Sequence, residues 1–221
     1  MSVRTTLPRS LTPLDALTLG LLAGTFVCTV FVYARLPNPM PTHFGLDGRP
    51  NGWMPRAIGA WVAPVVATVA CALVRFGGPL LPGDWRVRLE SSPRRALAAA
   101  TAALLTAVHV MGLRAALGPT HRMGHVVWVA LGVFFVALGQ VLPRTRRNPF
   151  VGVRTTWTLT SDENWARTHR VAAYTFTVGG VMASAAGFFD APALAMASIL
   201  AAAVAPALWS WWLARHDAQQ G

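Results

Sequence analysis

Asn148–Arg170, NPFVGVRTTWTLTSDENWARTHR, is the longest polar stretch in the second half of the chain, and apolar blocks long enough to cross a bilayer stand on either side of it. It carries Arg154, Arg167 and Arg170, the acids Asp162 and Glu163, and the tryptophans Trp157 and Trp165, with Arg144, Arg146 and Arg147 just upstream. Apolar residues make up 54% of the 221 and charged residues 12%. That charged share is half the roughly 25% usual in soluble proteins. The charges cluster between apolar runs of about twenty residues, the length a helix needs to span the hydrocarbon. The reading is an all-α, polytopic integral membrane protein with six transmembrane helices in a single membrane domain over 1–221.

Working outward, apolar runs at 170–189 and 191–213 follow the segment, so that 143–213 holds the polar stretch with the fifth and sixth spans. The third and fourth spans are read at 96–117 and 124–142. The first two, 14–34 and 57–76, flank a proline-rich loop at 35–56. The first run is too long for a signal-peptide core, and Arg35-Leu-Pro follows it in place of a small-x-small cleavage site, so it is expected to be retained. Gly20 and Gly24 in the first span, and Gly179, Ala183 and Gly187 in the fifth, have the four-residue spacing that lets helices approach closely. Pro64 is expected to kink the second span. Trp209, Trp211 and Trp212 close the last one as an interfacial belt. Cys28 and Cys71 both fall inside spans and read as small buried hydrophobes, not as a disulfide.

The net charge of +11 comes from nineteen arginines and no lysine. They sit at the ends of apolar runs and line no recognition helix, so direct nucleic-acid binding is not expected. Fourteen lie on the side of the amino tail, the second-to-third loop, the fourth-to-fifth loop and the carboxyl tail, and five lie on the other. The positive-inside rule then puts both termini and 148–170 in the cytoplasm and the 35–56 loop outside. Within that loop Pro37, Pro39 and Pro41 forbid regular helix, Asp47-Gly48 and Asn51-Gly52 are turn signals, and Trp53 is placed as an interfacial anchor.

Inside the polar segment, Thr160 with Glu163 three residues on reads as a capping box that starts the fifth helix near Ser161. Asp162 and Glu163 favour the positive end of its dipole. Trp157 and Trp165 read as interfacial anchors, and Arg154, Arg167 and Arg170 as groups that reach lipid phosphates. Burying Arg154 at mid-bilayer would cost roughly 2.5–3.5 kcal/mol, so the interface is its expected place.

The run GVRTTWTLTSDENWARTHR resembles the signature of the SdpI family, carried here by Asn148, Phe150, Gly152, Arg154, Thr155, Trp157, Thr158, Leu159, Trp165, Thr168, His169 and Arg170. Thr156 departs from the family pattern by replacing its usual proline. The loop PMPTHFGLDGRPNGW is similar to a small domain of unknown function that precedes this signature, through Pro41, His43, Phe44, Gly48, Gly52 and Trp53. The resemblance implies a multi-pass protein of a bacterial plasma membrane that gives immunity to a secreted antimicrobial peptide. It also implies recruitment of a cytoplasmic transcriptional repressor, with 148–170 as the docking surface. Membrane lipids are further partners, and no cofactor is implied.

Other readings rest on fewer residues. His43, His121 and His125, with Asp47, make a weak zinc candidate and would suit a metal-responsive sensor. His109 falls mid-span, where an ionisable group is a functional suspect. A small-solute or ion transporter would carry more charge at mid-bilayer than His109, Gln140 and Pro64 supply. The spans hold no paired carboxylates, H-E-x-x-H helix or Ser/Lys dyad, and Asp15 at the start of the first span reads as a cap. No enzymatic activity is expected.

Overall fold

A computed structural model describes residues 11–77, 91–118 and 123–217. Helix α1 (Pro13–Val32) ends in a 3-10 turn and leads to strands β1 (Met40–Phe44) and β2 (Pro50–Met54), followed by α2 (Arg56–Phe76), α3 (Ser91–Leu117) and α4 (Val126–Val141). The one-turn helix α5 (Thr156–Thr160) then precedes the long pair α6 (Asp162–Phe188) and α7 (Pro192–Asp217). All but α5 are long and apolar enough to cross a membrane, which gives the six spans expected.

The segment 35–56 is not a loop throughout. Met40 pairs with Met54, Pro41 with Trp53, His43 with Gly52 and Phe44 with Pro50 in an antiparallel hairpin with an irregular register. Prolines concealed these strands from a pattern reading, yet a two-stranded hairpin leaves one edge of each strand unpaired, where a missing N–H costs nothing. The hairpin is seated by buried Leu36 and Met40 against Ala60 of α2 and Leu113 and Ala116 of α3. Arg56 ties its base by donating to the Leu36 carbonyl at 3.2 Å while its guanidinium stacks on Tyr33.

Two groups of helices follow from the packing. In the first, α3 packs on α1 and α2; in the second, α6 lies between α4 and α7. The α4–α6 contact is backbone on backbone. A Cβ placed on Gly132 would lie 2.4 Å from the Gly180 carbonyl oxygen, so neither position has room for a side chain. Such approach lets short polar links form between helices: Ser184 donates to the Val129 carbonyl at 3.3 Å and Gln140 to the Thr177 hydroxyl at 3.1 Å. The stripe of Gly179, Ala183 and Gly187 is buried as expected, but it serves two neighbours, Gly179 meeting Ala202 of α7 and Gly187 meeting Trp128 of α4. Gly20 and Gly24 of α1, by contrast, have nothing within 4 Å of a Cβ position, so this pair makes no close helix contact among the described residues.

Contacts also define two faces. On the first, Asp15 at the start of α1 bonds Arg75 at the end of α2 (2.8 Å) and Arg95 at the start of α3 (3.2 Å), and Arg167 of α6 pairs with Asp217 of α7 (3.6 Å). Asp15 also completes a capping box with Thr12, as its place at the helix start suggested. Its two arginine partners are beyond what spacing reveals. On the opposite face the Met123 amide donates to the Gly48 carbonyl at 2.8 Å, which fastens the hairpin turn to the start of α4.

Candidate functional site

The polar segment lies on the face of Asp15, where it folds into a small cap held almost wholly by its own signature residues. Asn148, with no exposed surface, starts it. Its Oδ1 accepts from the Phe150 and Val151 amides (2.8 and 2.7 Å) and its Nδ2 donates to the Arg146 and Val151 carbonyls (2.8 and 3.1 Å). All four hydrogen-bonding valences of the amide are used to turn the chain after the 3-10 turn that ends α4. Gly152 follows at φ 136°, and a Cβ there would lie 2.4 Å from His169 Nε2 and 2.8 Å from the Trp165 ring. This is the position where only glycine serves.

The two rings that fill this space are stacked, with centroids 4.1 Å apart. Trp165 is 2% exposed and its indole N–H donates to the Thr145 carbonyl at 3.0 Å, so it is a core residue and not an interfacial anchor. His169 accepts from the Val153 amide through Nε2 (3.1 Å), and its Nδ1 donates to the Trp165 carbonyl (2.8 Å). An acceptor Nε2 and a donor Nδ1 specify the neutral tautomer with both nitrogens satisfied. His169 therefore has no lone pair left for a metal in this arrangement.

Thr155 caps α5 by a reciprocal box with Thr158, and Thr158, fully buried, also donates to the Val153 carbonyl at 2.8 Å. The cap is riveted to α7 through one residue, Ser210: its hydroxyl lies 2.9 Å from that of Thr155, and its carbonyl accepts from Asn164 at 2.9 Å. Thr168 donates back to Asn164 Oδ1 at 3.1 Å. Neither Ser210 nor Asn164 stood out in the sequence, because both read as ordinary helix residues beside tryptophans. Helix α6 does begin after Ser161, but not through Thr160 and Glu163. Ser161 accepts the Asn164 amide at 3.1 Å, while Thr160 is the last residue of α5 and bonds back to the Thr156 carbonyl at 2.9 Å. The extra helical turn uses up the residue that sequence spacing assigned to the cap. Asp162 and Glu163 do lie in the first turn, where they also pair with Arg147 (2.6 Å) and Arg167 (3.5 Å).

What the cap leaves outward is a different set. Arg154 is exposed, with Nη1 donating to the Pro149 carbonyl at 2.6 Å, and Trp157 and Phe150 are each 37% exposed. Thr156, Arg170, Arg144 and Arg146 are exposed as well, and Leu159 is partly so. This surface is cationic and aromatic. Phe150 also reaches across to the first helix group, where its ring edge lies 3.3 Å from a Cβ position on Gly77.

On the opposite face the hairpin carries the other motif. Pro41 is buried, Gly52 opposes the His43 Cβ, and Gly48 has φ 72° with the Met123 backbone against it. Trp53 is 55% exposed, as an anchor would be. His43 bonds the Asn51 side chain. His125 lines a crevice of ≈ 370 Å³ with Asp47, Trp128 and Asp190, whereas His121 lies outside the described residues. Among the described residues no three His, Cys, Asp or Glu side chains group as metal ligands. His109, 6% exposed, is bonded through Nε2 to the Thr29 hydroxyl at 2.7 Å, a link between α3 and α1.

Comparison with known families returns two matches, in the order the motifs suggested. Residues 20–68 match the Domain of unknown function (DUF1648), and residues 144–210 match the SdpI/YfhL protein family. The second match ends at Ser210, so it encloses every residue of the cap together with its rivet. No curated protein and no solved structure matches the chain.

Proposed function

We propose, from the premise that this six-span chain carries an SdpI/YfhL family segment behind a DUF1648 unit, that it is a non-enzymatic immunity-type protein of a bacterial plasma membrane. In this reading it protects its cell against a secreted antimicrobial peptide. Both termini and the cap face the cytoplasm, on the fourteen-to-five arginine bias, and the hairpin faces the medium.

The observation that carries the proposal is the division of labour within the signature. Asn148, Gly152, Thr155, Thr158, Trp165 and His169 are committed to holding the cap rigid, and Arg154, Trp157 and Phe150 are held outward by it. A fixed scaffold under a cationic, aromatic surface suits recognition, since arginine and tryptophan dominate interface energetics. The cap is thus the docking surface for a cytoplasmic repressor, and the hairpin face is the side that meets the peptide.

The test is survival of a peptide-sensitive bacterium with and without this protein, at expression matched by membrane immunoblot, beside Arg154→Ala and Trp157→Ala. Protection by the wild type is expected. A repressor should co-purify with it and be lost from both variants. Absence of protection at full expression overturns the immunity reading. A repressor retained by both variants overturns the docking surface.

A further inference from the structure

A cleft of ≈ 350 Å³ runs between α1 and α2 on the face of the cap, and its chemistry is graded along its length. Leu19, Leu22, Ala72 and Phe76 make apolar walls, and Asp15 and Arg75 close one end. Between Asp15 and Leu22 the α1 wall is about 10 Å long at 1.5 Å per residue, enough to seat part of an extended acyl chain. Because α1 and α2 touch only lightly and both pack on α3, the cleft opens sideways to the surroundings of the helices. In a bilayer that opening faces lipid.

The closed end is positive. Among the described residues Asp15 is paired with both Arg75 and Arg95, so one carboxylate answers two guanidiniums there, and Arg94 lies within electrostatic reach of both arginines. The paired side chains are only 12–22% exposed. Charge sheltered in this way at the end of an apolar groove complements an amphiphile whose head is an anion. A zwitterionic head would place its own cation against the arginines.

We infer that this cleft binds one acyl chain of an anionic phospholipid from the adjoining leaflet, with the phosphate drawn to Arg75, Arg94 and Arg95. The site is independent of the immunity reading, since it uses none of the signature residues.

The experiment uses the full chain purified in detergent, with thermal unfolding followed as phosphatidylglycerol, phosphatidylcholine or free glycerol phosphate is added. Native mass spectra count the lipid retained. Phosphatidylglycerol is expected to raise the Tm saturably, phosphatidylcholine to do so less, and glycerol phosphate to leave it unchanged. Removing one guanidinium near the headgroup, in Arg94→Gln, should raise the half-saturating lipid concentration about fivefold. Ala72→Trp fills the groove from an exposed position, and should abolish both the shift and the retained lipid while its lipid-free Tm stays that of the wild type. A lipid-free Tm that falls marks the variant as misfolded, and Leu19→Trp then takes its place. Equal shifts from the two lipids overturn the inference, as does a full shift from glycerol phosphate alone. So does an undiminished phosphatidylglycerol shift in a folded variant with the groove filled.

Discussion

Gly152 and Thr156 stand four residues apart in the cap and make opposite demands on the backbone. At φ 136° and with the His169 and Trp165 rings against it, Gly152 admits no side chain. Gly152→Ala is expected to cost on the order of 1–3 kcal/mol, read as a lower Tm in detergent, with loss of the Trp165 environment in near-ultraviolet dichroism. Thr156 is the first residue of α5, and Thr155 before it is extended at φ −103°, ψ 167°. A proline at that helical position loses no intrahelical hydrogen bond and finds its preceding residue already compatible. Thr156→Pro should therefore stabilise the chain by about 0.4–1 kcal/mol in the same assay. The residues of the cap were legible in the sequence but their roles were only half so. Trp157 and Trp165 look alike as aromatic letters near a membrane end, and what separates them is a contact between Trp165 and Gly152, thirteen positions away, that no local pattern encodes.

Among the elements, the glycines of α4 and α6 and those of α1 show why a spacing rule states capacity and not outcome. Gly132 and Gly180 face one another across two backbones, so Gly132→Val should prevent α4 and α6 from closing and abolish the folded protein in gel filtration. Gly24→Ala meets nothing within 4 Å and should leave stability within about 0.5 kcal/mol of the wild type. Both pairs satisfy small-residue expectations, but only a partner helix with its own small residue at the same depth turns spacing into contact. The spans themselves were legible because solvent imposes them: twenty apolar residues have one stable answer in lipid. Helix pairing was not, since lipid is as apolar as leucine and removes the one-sided periodicity that reveals a buried face in water. The hairpin was missed for a different reason. Its strands are five residues each and contain Pro41 and Pro50, so turn signals outweighed any alternation.

For the molecule as a whole, orientation is a single quantity that one labelling experiment decides. In a Cys28→Ser background, a membrane-impermeant maleimide applied to intact cells should label Asp47→Cys in the hairpin turn and spare Asp217→Cys at the end of α7 until the cells are opened; the reverse pattern overturns the cytoplasmic assignment of the cap. Asp15 is the other whole-molecule feature, because its one carboxylate ties α1 to both α2 and α3. Asp15→Asn leaves Arg75 and Arg95 without their countercharge and should cost roughly 3–5 kcal/mol, seen as a lower Tm. The same carboxylate has a consequence in time. Its first partner is 60 residues further along the chain. At about 5–20 residues per second of translation, roughly 3–12 s pass between the synthesis of Asp15 and that of Arg75. During that interval the carboxylate has its Thr12 cap but neither of its helix partners, so the first span is made well before the contacts that tie it to α2 and α3.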